Sequence, residues 1–358
     1  MKCLIIGNFH HKNKIGLELI LKHLNYNYKF GNINDIANYD LIFMPDNPIN
    51  TADYPNKKFI FGNHFSVFPT NKLSIINNIH KNSIYIQPSR WVSKIWIDRN
   101  TETILPVKIL PFPVEIKKFK PNNKKRTKVF IYFKYRKDKE LNFIKSFLQN
   151  KNIEFRIFDY KKKYPQDEYI KYLQESKYGI WLGAHESQGF ALQEALAINV
   201  PLLVWNVKYM SQEVRSNYED IFATTIPYFD KSCGEYFYKE KEFSNKYSEF
   251  ISKLHTYNPR NFILNNLNVK QLDRTITTMP LNYTYGLSII NSHLSNGASI
   301  VLNNYSMVDK KFWNFLNKEK VSNFGGVPFM YEILNKIGFE DKIPKSLRYI
   351  TQAGGKLS

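Results

Sequence analysis

Short apolar runs ending in turn residues recur along the chain, separated by stretches with apolar residues at helical spacing. CLIIGNF (3–9) precedes an amphipathic IGLELILKHL (15–24). YDLIFMP (39–45), KFIFGN (58–63) and SIYIQPS (83–89) are strand-like. A second series comprises KVFIYF (128–133), IEFRIFDY (153–160), YGIWLGA (178–184) and PLLVWNV (201–207), with helix-like LNFIKSFLQN (141–150) and DEYIKYLQES (167–176) between them. Such alternation predicts an α/β protein with parallel, doubly wound sheets. Two sheets are expected, joined at ILPFPVEIKKFKP (109–121), where Pro111, Pro113 and Pro121 interrupt regular structure. Two such sheets facing each other leave a cleft at the carboxyl ends of their strands, where ligands of open α/β sheets bind.

Composition narrows the classes. At 358 residues the chain can hold more than one core, and 43% hydrophobic with 16% aromatic content suits a folded protein. No run approaches the roughly 18 apolar residues of a membrane-spanning helix. The opening MKCLIIGNFHH has too short an apolar stretch for a signal peptide and reads as a first buried strand. Cys3 and Cys233 have no metal-type spacing, which points to the cytosol and away from a disulfide framework. A formal net charge of +20 favours an anionic partner: nucleotide phosphates, an acidic membrane surface or nucleic acid. Lysines are spread through NKKRTK, DYKKKY and FYKEKEF, and no nucleic-acid-binding module is present, so nucleic acid is not expected. Weak contact with the inner face of a membrane stays open. The chain also lacks GxGxxG, GxxxxGK[ST] and D-x-D, which argues against dinucleotide, P-loop and metal-bridged diphosphate sites.

The densest chemistry lies in HESQGFALQEALAINVPLLVW (185–205). The strand YGIWLGA runs into His185, Glu186, Ser187, Gln188 and Gly189, and a helix is expected from Phe190. Gly189 permits a tight turn and close ligand approach. The free N–H groups and positive dipole end of the following helix form a ready anion site. Glu186 precedes that site, and Glu194 projects back toward it from within the helix. A carboxylate there can accept two hydrogen bonds from a ribose diol. One anion with hydroxyl-bearing groups on either side describes a nucleoside diphosphate sugar.

The stretch resembles the E-x7-E element of retaining GT-B glycosyltransferases, with Glu186 and Glu194 in the matching positions. The resemblance implies that Glu186 contacts the donor sugar, Glu194 the ribose, and the Gly189-Phe190 backbone the diphosphate. The join is similar to that family's interdomain segment, although Pro113 and Glu115 stand where Gly and Asp are commoner. The family holds its leaving diphosphate with a basic pair after the first strand of the second domain, for which Lys134 and Arg136 are the expected residues. His64 is the expected cleft histidine. Gly7, Asn8 and His10 occupy the loop that meets donor phosphates or acceptor. His185 orients Glu186 or caps its strand, and SRWVSKIW (89–96) reads as packing.

NPRNFILNNL (258–267) resembles the last helix of such a transferase, after which the text changes. The stretches 273–306 and 321–358 resemble the middle of an adenylate-forming (AMP-binding) acyl or aryl ligase. PLNYTYGLS matches its P-L-x-H-x-x-G region with Tyr283 in the histidine's place, and AGGKLS its adenine-pocket turn. The family's phosphate loop is missing before residue 273, and its ribose-binding aspartate and catalytic lysine would follow Ser358, so no acyl adenylate is expected. ASIVL and LRYITQ are expected to be uncovered strand edges.

The sequence therefore predicts two Rossmann-like domains, 1–110 and 111–268, and a partial α/β adenylation fragment, 269–358. The expected activity is glycosyl transfer from a nucleotide sugar to a saccharide or lipid-linked acceptor, with retention and without metal or tightly bound cofactor. The alternatives are an AMP-dependent ligase and a non-catalytic nucleotide-sugar binder.

Overall fold

The computed structural model describes residues 2–8, 10–45, 48–62, 82–98, 106–162, 164–269, 273–280, 282–295 and 298–355. The chain divides into two compact units, Met1–Ile263 and Leu264–Ser358.

In the first unit, strands β1 (Lys2–Ile5), β2 (Asn27–Phe30), β3 (Leu41–Met44), β4 (Lys58–Phe61), β5 (Ser83–Gln87) and β6 (Val107–Ile109) form a parallel sheet ordered β2-β1-β3-β4-β5-β6. Helices α1 (His11–His23) and α2 (Arg90–Asp98) belong to it. Leu4, Ile42, Phe59, Phe61, Tyr85 and Trp96 fill its core. Trp96 and Val92 of SRWVSKIW are buried, so this stretch packs as expected.

The second sheet has the order β11-β10-β9-β7-β8 and is likewise parallel. Its strands are β7 (Lys128–Lys134), β8 (Phe155–Asp159), β9 (Ser176–Gly183), β10 (Leu202–Trp205) and β11 (Gly234–Phe237). Helices α3 (Asp138–Asn150), α4 (Gln166–Gln174), α5 (Phe190–Ala197), α6 (Phe243–Ser252) and α7 (Pro259–Asn266) accompany it. β9 reads as a nearly unbroken apolar run because both of its faces are covered. From β7 the chain goes first to β8 on one side and then to β9 on the other. The strand order thus reverses between β7 and β9, and their carboxyl ends open the crevice of this sheet.

The segment between the sheets is held from both. Gln188 donates to the Phe112 carbonyl at 2.7 Å and accepts from the Phe112 N–H at 2.9 Å. Gly16 of α1 lies so near that a Cβ there would sit 2.4 Å from Phe112 Cβ. Arg260, early in α7, donates to the carbonyls of Phe119, Ala197 and Ile116.

The second unit is a parallel sheet ordered β13-β12-β14-β15, from β12 (Arg274–Ile276), β13 (Ser299–Val301), β14 (Asn323–Gly326) and β15 (Tyr349–Gln352). Helices α8 (Thr284–Ser295), α9 (Lys310–Lys318) and α10 (Pro328–Lys336) alternate with the strands, and Phe312, Leu316 and Phe324 lie in its core. The runs ASIVL and LRYITQ supply the two edge strands, with Leu302 and Ile350 exposed.

Candidate active site

Gly189 opens α5 with φ +84° and ψ +50°, left-handed values that a β-carbon disfavours. α5 thus begins in the loop that follows the carboxyl end of β9. Tyr169 donates to the Ala191 carbonyl at 3.2 Å and steadies that first turn. The loop before it is tied down by Glu186 N–H to the Thr224 carbonyl (2.9 Å) and by Trp91 Nε1–H of α2 to the Glu186 carbonyl (3.0 Å). Trp91 comes from the first sheet's helix, so both lobes of this unit position Glu186.

Each glutamate holds a lysine. Glu186 Oε1 accepts from Lys134 Nζ at 2.8 Å, and the same ammonium lies 4.7 Å from the centre of the Tyr160 ring. Burial alone would lower the Lys134 pKa, but the charge and hydrogen bond of Glu186, with Tyr160 and Glu213, raise it on balance. Glu194 is almost wholly buried and takes Lys12 Nζ of α1 at 2.7 and 2.8 Å on its two oxygens. Burial raises the Glu194 pKa against the pull of that lysine. The cavity beside this pair, lined by Lys12, Pro113, Glu115, Phe190 and Glu194, is only about 20 Å³. A ribose can reach Glu194 only if Lys12 moves.

Arg136 departs from the sequence expectation. Its side chain is 1% exposed, and its guanidinium is spent within the frame. Nε and an NH2 proton go to Glu140 at 3.0 and 2.7 Å, while NH1 donates to the Gly183 and Trp205 carbonyls at 3.1 and 2.8 Å. An arginine so engaged ties β7, β9 and β10 together and has no reach toward a diphosphate. Alternation along KVFIYFKYR shows which positions are charged, and nothing in it separates the buried cation from the one at the crevice.

The remaining expected residues fall into three groups. His64 lies outside the described residues. Gly7 and Asn8 are exposed just past the carboxyl end of β1, at the point where the first sheet's order reverses, and His10 is exposed at the start of α1. His185 Nδ1 is 3.3 Å from Glu213 Oε2. Burial and then the Lys134 charge push the His185 pKa down to about 4, so it is neutral at neutral pH. Burial pushes the Glu213 carboxyl up, with Lys134 acting against and Glu186 with that shift.

Lys12, Trp91, Gln188 and Glu213 were not read from the sequence. Lys12 and Glu194 are 182 positions apart, and no local pattern joins them. Gln188 sits inside the Glu186–Glu194 interval, the one place where local spacing could have suggested it. Among the described residues, no three His, Cys, Asp or Glu side chains are grouped so as to hold a metal ion. No helix among them is long and apolar enough to cross a membrane.

No family model matches the chain, and no curated protein matches it significantly. Solved structures similar to it include the lipopolysaccharide outer core galactosyltransferase WaaB in its apo form, at 13% identity and TM-score 0.44, covering 74% of this chain and 94% of that one. Sucrose-phosphate synthase from Thermosynechococcus elongatus is similar at 9% identity and TM-score 0.48, covering 82% and 98%. o-Succinylbenzoate CoA synthetase (MenE) from Bacillus subtilis, with its acyl-adenylate intermediate, gives 16% identity and TM-score 0.22 over 65% of this chain and 57% of that one. These likenesses concern fold; the assignment of two Rossmann-like sheets rests on the strand orders themselves.

Proposed function

We propose that residues 2–263 are a glycosyltransferase using a nucleoside diphosphate sugar as donor and a saccharide or lipid-linked saccharide as acceptor, with retention at the anomeric carbon. One observation carries this reading: a left-handed glycine starts a helix at the strand-order reversal, with a lysine-paired glutamate just before it and another one turn inside it. The diphosphate would lie on the first N–H groups of α5, where the helix dipole favours negative charge. Lys134 would then share its charge between Glu186 and the phosphate. As the bond between anomeric carbon and phosphate oxygen breaks, charge grows on that oxygen, and a cation held beside it stabilises the transition state more than the ground state. The acceptor hydroxyl oxygen bonds to the same carbon from the same face, and its proton passes to the departing phosphate. Glu186 would meet a hydroxyl of the transferred sugar, and Glu194 the ribose diol.

The test is sugar transfer, read as release of UDP, GDP or ADP from the matching nucleotide sugars. Glu186→Gln should cut turnover by about a hundredfold or more in protein that circular dichroism shows to be still folded at the assay temperature. Binding without turnover in wild type would leave a non-catalytic nucleotide-sugar binder, and acid-dependent ATP–pyrophosphate exchange would favour a ligase.

A further inference from the structure

Beside Glu186 lies a second set of groups that the transfer reading does not use. His185 leaves the end of β9 with its side chain 9% exposed. It is set edge-on to Trp91 and Tyr218, with ring centres 5.7 and 5.2 Å away. Its Nδ1 is buried without a hydrogen-bond partner among the described residues, although Glu213 Oε2 is 3.3 Å off. A histidine whose role was to tie down the 206–226 loop would spend that nitrogen. The loop is already fixed without it: Glu213 N–H donates to the Met210 carbonyl at 3.0 Å and Val214 N–H to the Tyr135 carbonyl at 2.9 Å. Thr225 is bonded to Asn206, and Met210 is buried with Ala223 against Ile95. A buried polar nitrogen left unmatched in so well-anchored a frame calls for an explanation.

Resting on the transferase reading, we propose that Glu213 and His185 extend the Glu186 site into a recognition site for the hydroxyls of a neutral sugar ring, and that the site selects against acidic sugars. A hydroxyl both donates and accepts, as a neutral imidazole does, and a carboxylate beside it accepts a hydrogen bond from the hydroxyl. Burial keeps His185 in the neutral form that this pairing needs. The charges that act on Glu213 are those of Lys134 and Glu186. Lys134 is already 2.8 Å from Glu186, so the group carries one negative charge in excess when both acids are ionised. The carboxylate of a hexuronate would meet two like charges and one occupied ammonium.

Calorimetric titration of the full chain separates the possibilities. UDP, UDP-glucose and UDP-glucuronate are titrated into wild type and Glu213→Gln, or GDP, GDP-mannose and GDP-mannuronate if GDP is the diphosphate that binds. Wild type should bind the hexose form about tenfold or more tighter than the hexuronate form. Glu213→Gln should weaken the hexose form by about tenfold, leave the free diphosphate within about twofold, and narrow the hexose–hexuronate gap. His185→Gln, which keeps a donor and an acceptor, should lose less than His185→Phe. The inference falls if the diphosphate binds but Glu213→Gln weakens sugar-bearing and sugar-free ligands equally, or leaves both unchanged, or if hexuronate binds as well as hexose. If no diphosphate binds wild type, the transferase reading falls and this site with it.

Discussion

Arg136 and Lys134 stand two positions apart and do different work. Lys134 reaches the crevice, whereas Arg136 turns inward onto Glu140 and two carbonyls. Removing one partner of a buried ion pair costs about 3–5 kcal/mol. At about 2–4 °C per kcal/mol for a domain of this size, Arg136→Met should lower the melting temperature by about 10 °C, while folded variant keeps its nucleotide affinity in titration. A phosphate ligand would show the reverse. His185 gives a second check. Its folded pKa, about 4, is below its usual 6.5, so the unfolded chain takes up the proton first as pH falls. Stability from neutral His185 is therefore full above pH 6.5 and is lost on the way down to 4, by up to about 3 kcal/mol. Denaturant titrations should show wild type losing this much relative to His185→Gln between pH 7 and 4. A flat difference would mean that the native state does not displace the imidazole pKa, and a gain on lowering pH would mean a protonated imidazole paired with Glu213.

The α5 element joins backbone geometry to binding. At Gly189 a β-carbon would meet Glu186 Cβ at an ordinary 3.5 Å, so space is not the obstacle; the left-handed φ is. Gly189→Ala should cost about 1–2 kcal/mol in stability, and any relaxation of φ turns the first N–H groups of α5 away from a diphosphate. Melting and titration together check this, and unchanged diphosphate binding would remove the helix start from the site. This element was legible in the sequence because its parts are local: strand, glycine, helix and Pro201 fall within one short stretch. The partners of its glutamates were less so. Lys134 could be named through a family resemblance, but Lys12 and Trp91 meet the site only through the folded interface of the first unit's lobes. Glu213 lies in a loop without periodicity. The short strands at 27–30, 107–109 and 234–237 were also missed, being too brief for alternation to register.

At the scale of the molecule, each compact unit has its own buried cluster: Leu4, Phe61 and Trp96, then Ile131, Leu182 and Phe250, in the first, and Phe312, Leu316 and Phe324 in the second. A chain ending at residue 268 should keep the first unit's unfolding transition in calorimetry; a large loss would show that the tail is integral to it. The exposed β13 and β15 edges should make the full chain the more aggregation-prone of the two. The central claim concerns the first unit, where a nucleotide grips α5 with its ribose on Glu194 in exchange for Lys12. The most direct test is calorimetric titration of wild type and Glu194→Gln with the preferred nucleoside diphosphate and its 2′-deoxy form. The account expects wild type to favour the ribose form by about tenfold or more, and Glu194→Gln to erase that preference. Equal binding of both forms by wild type would contradict it.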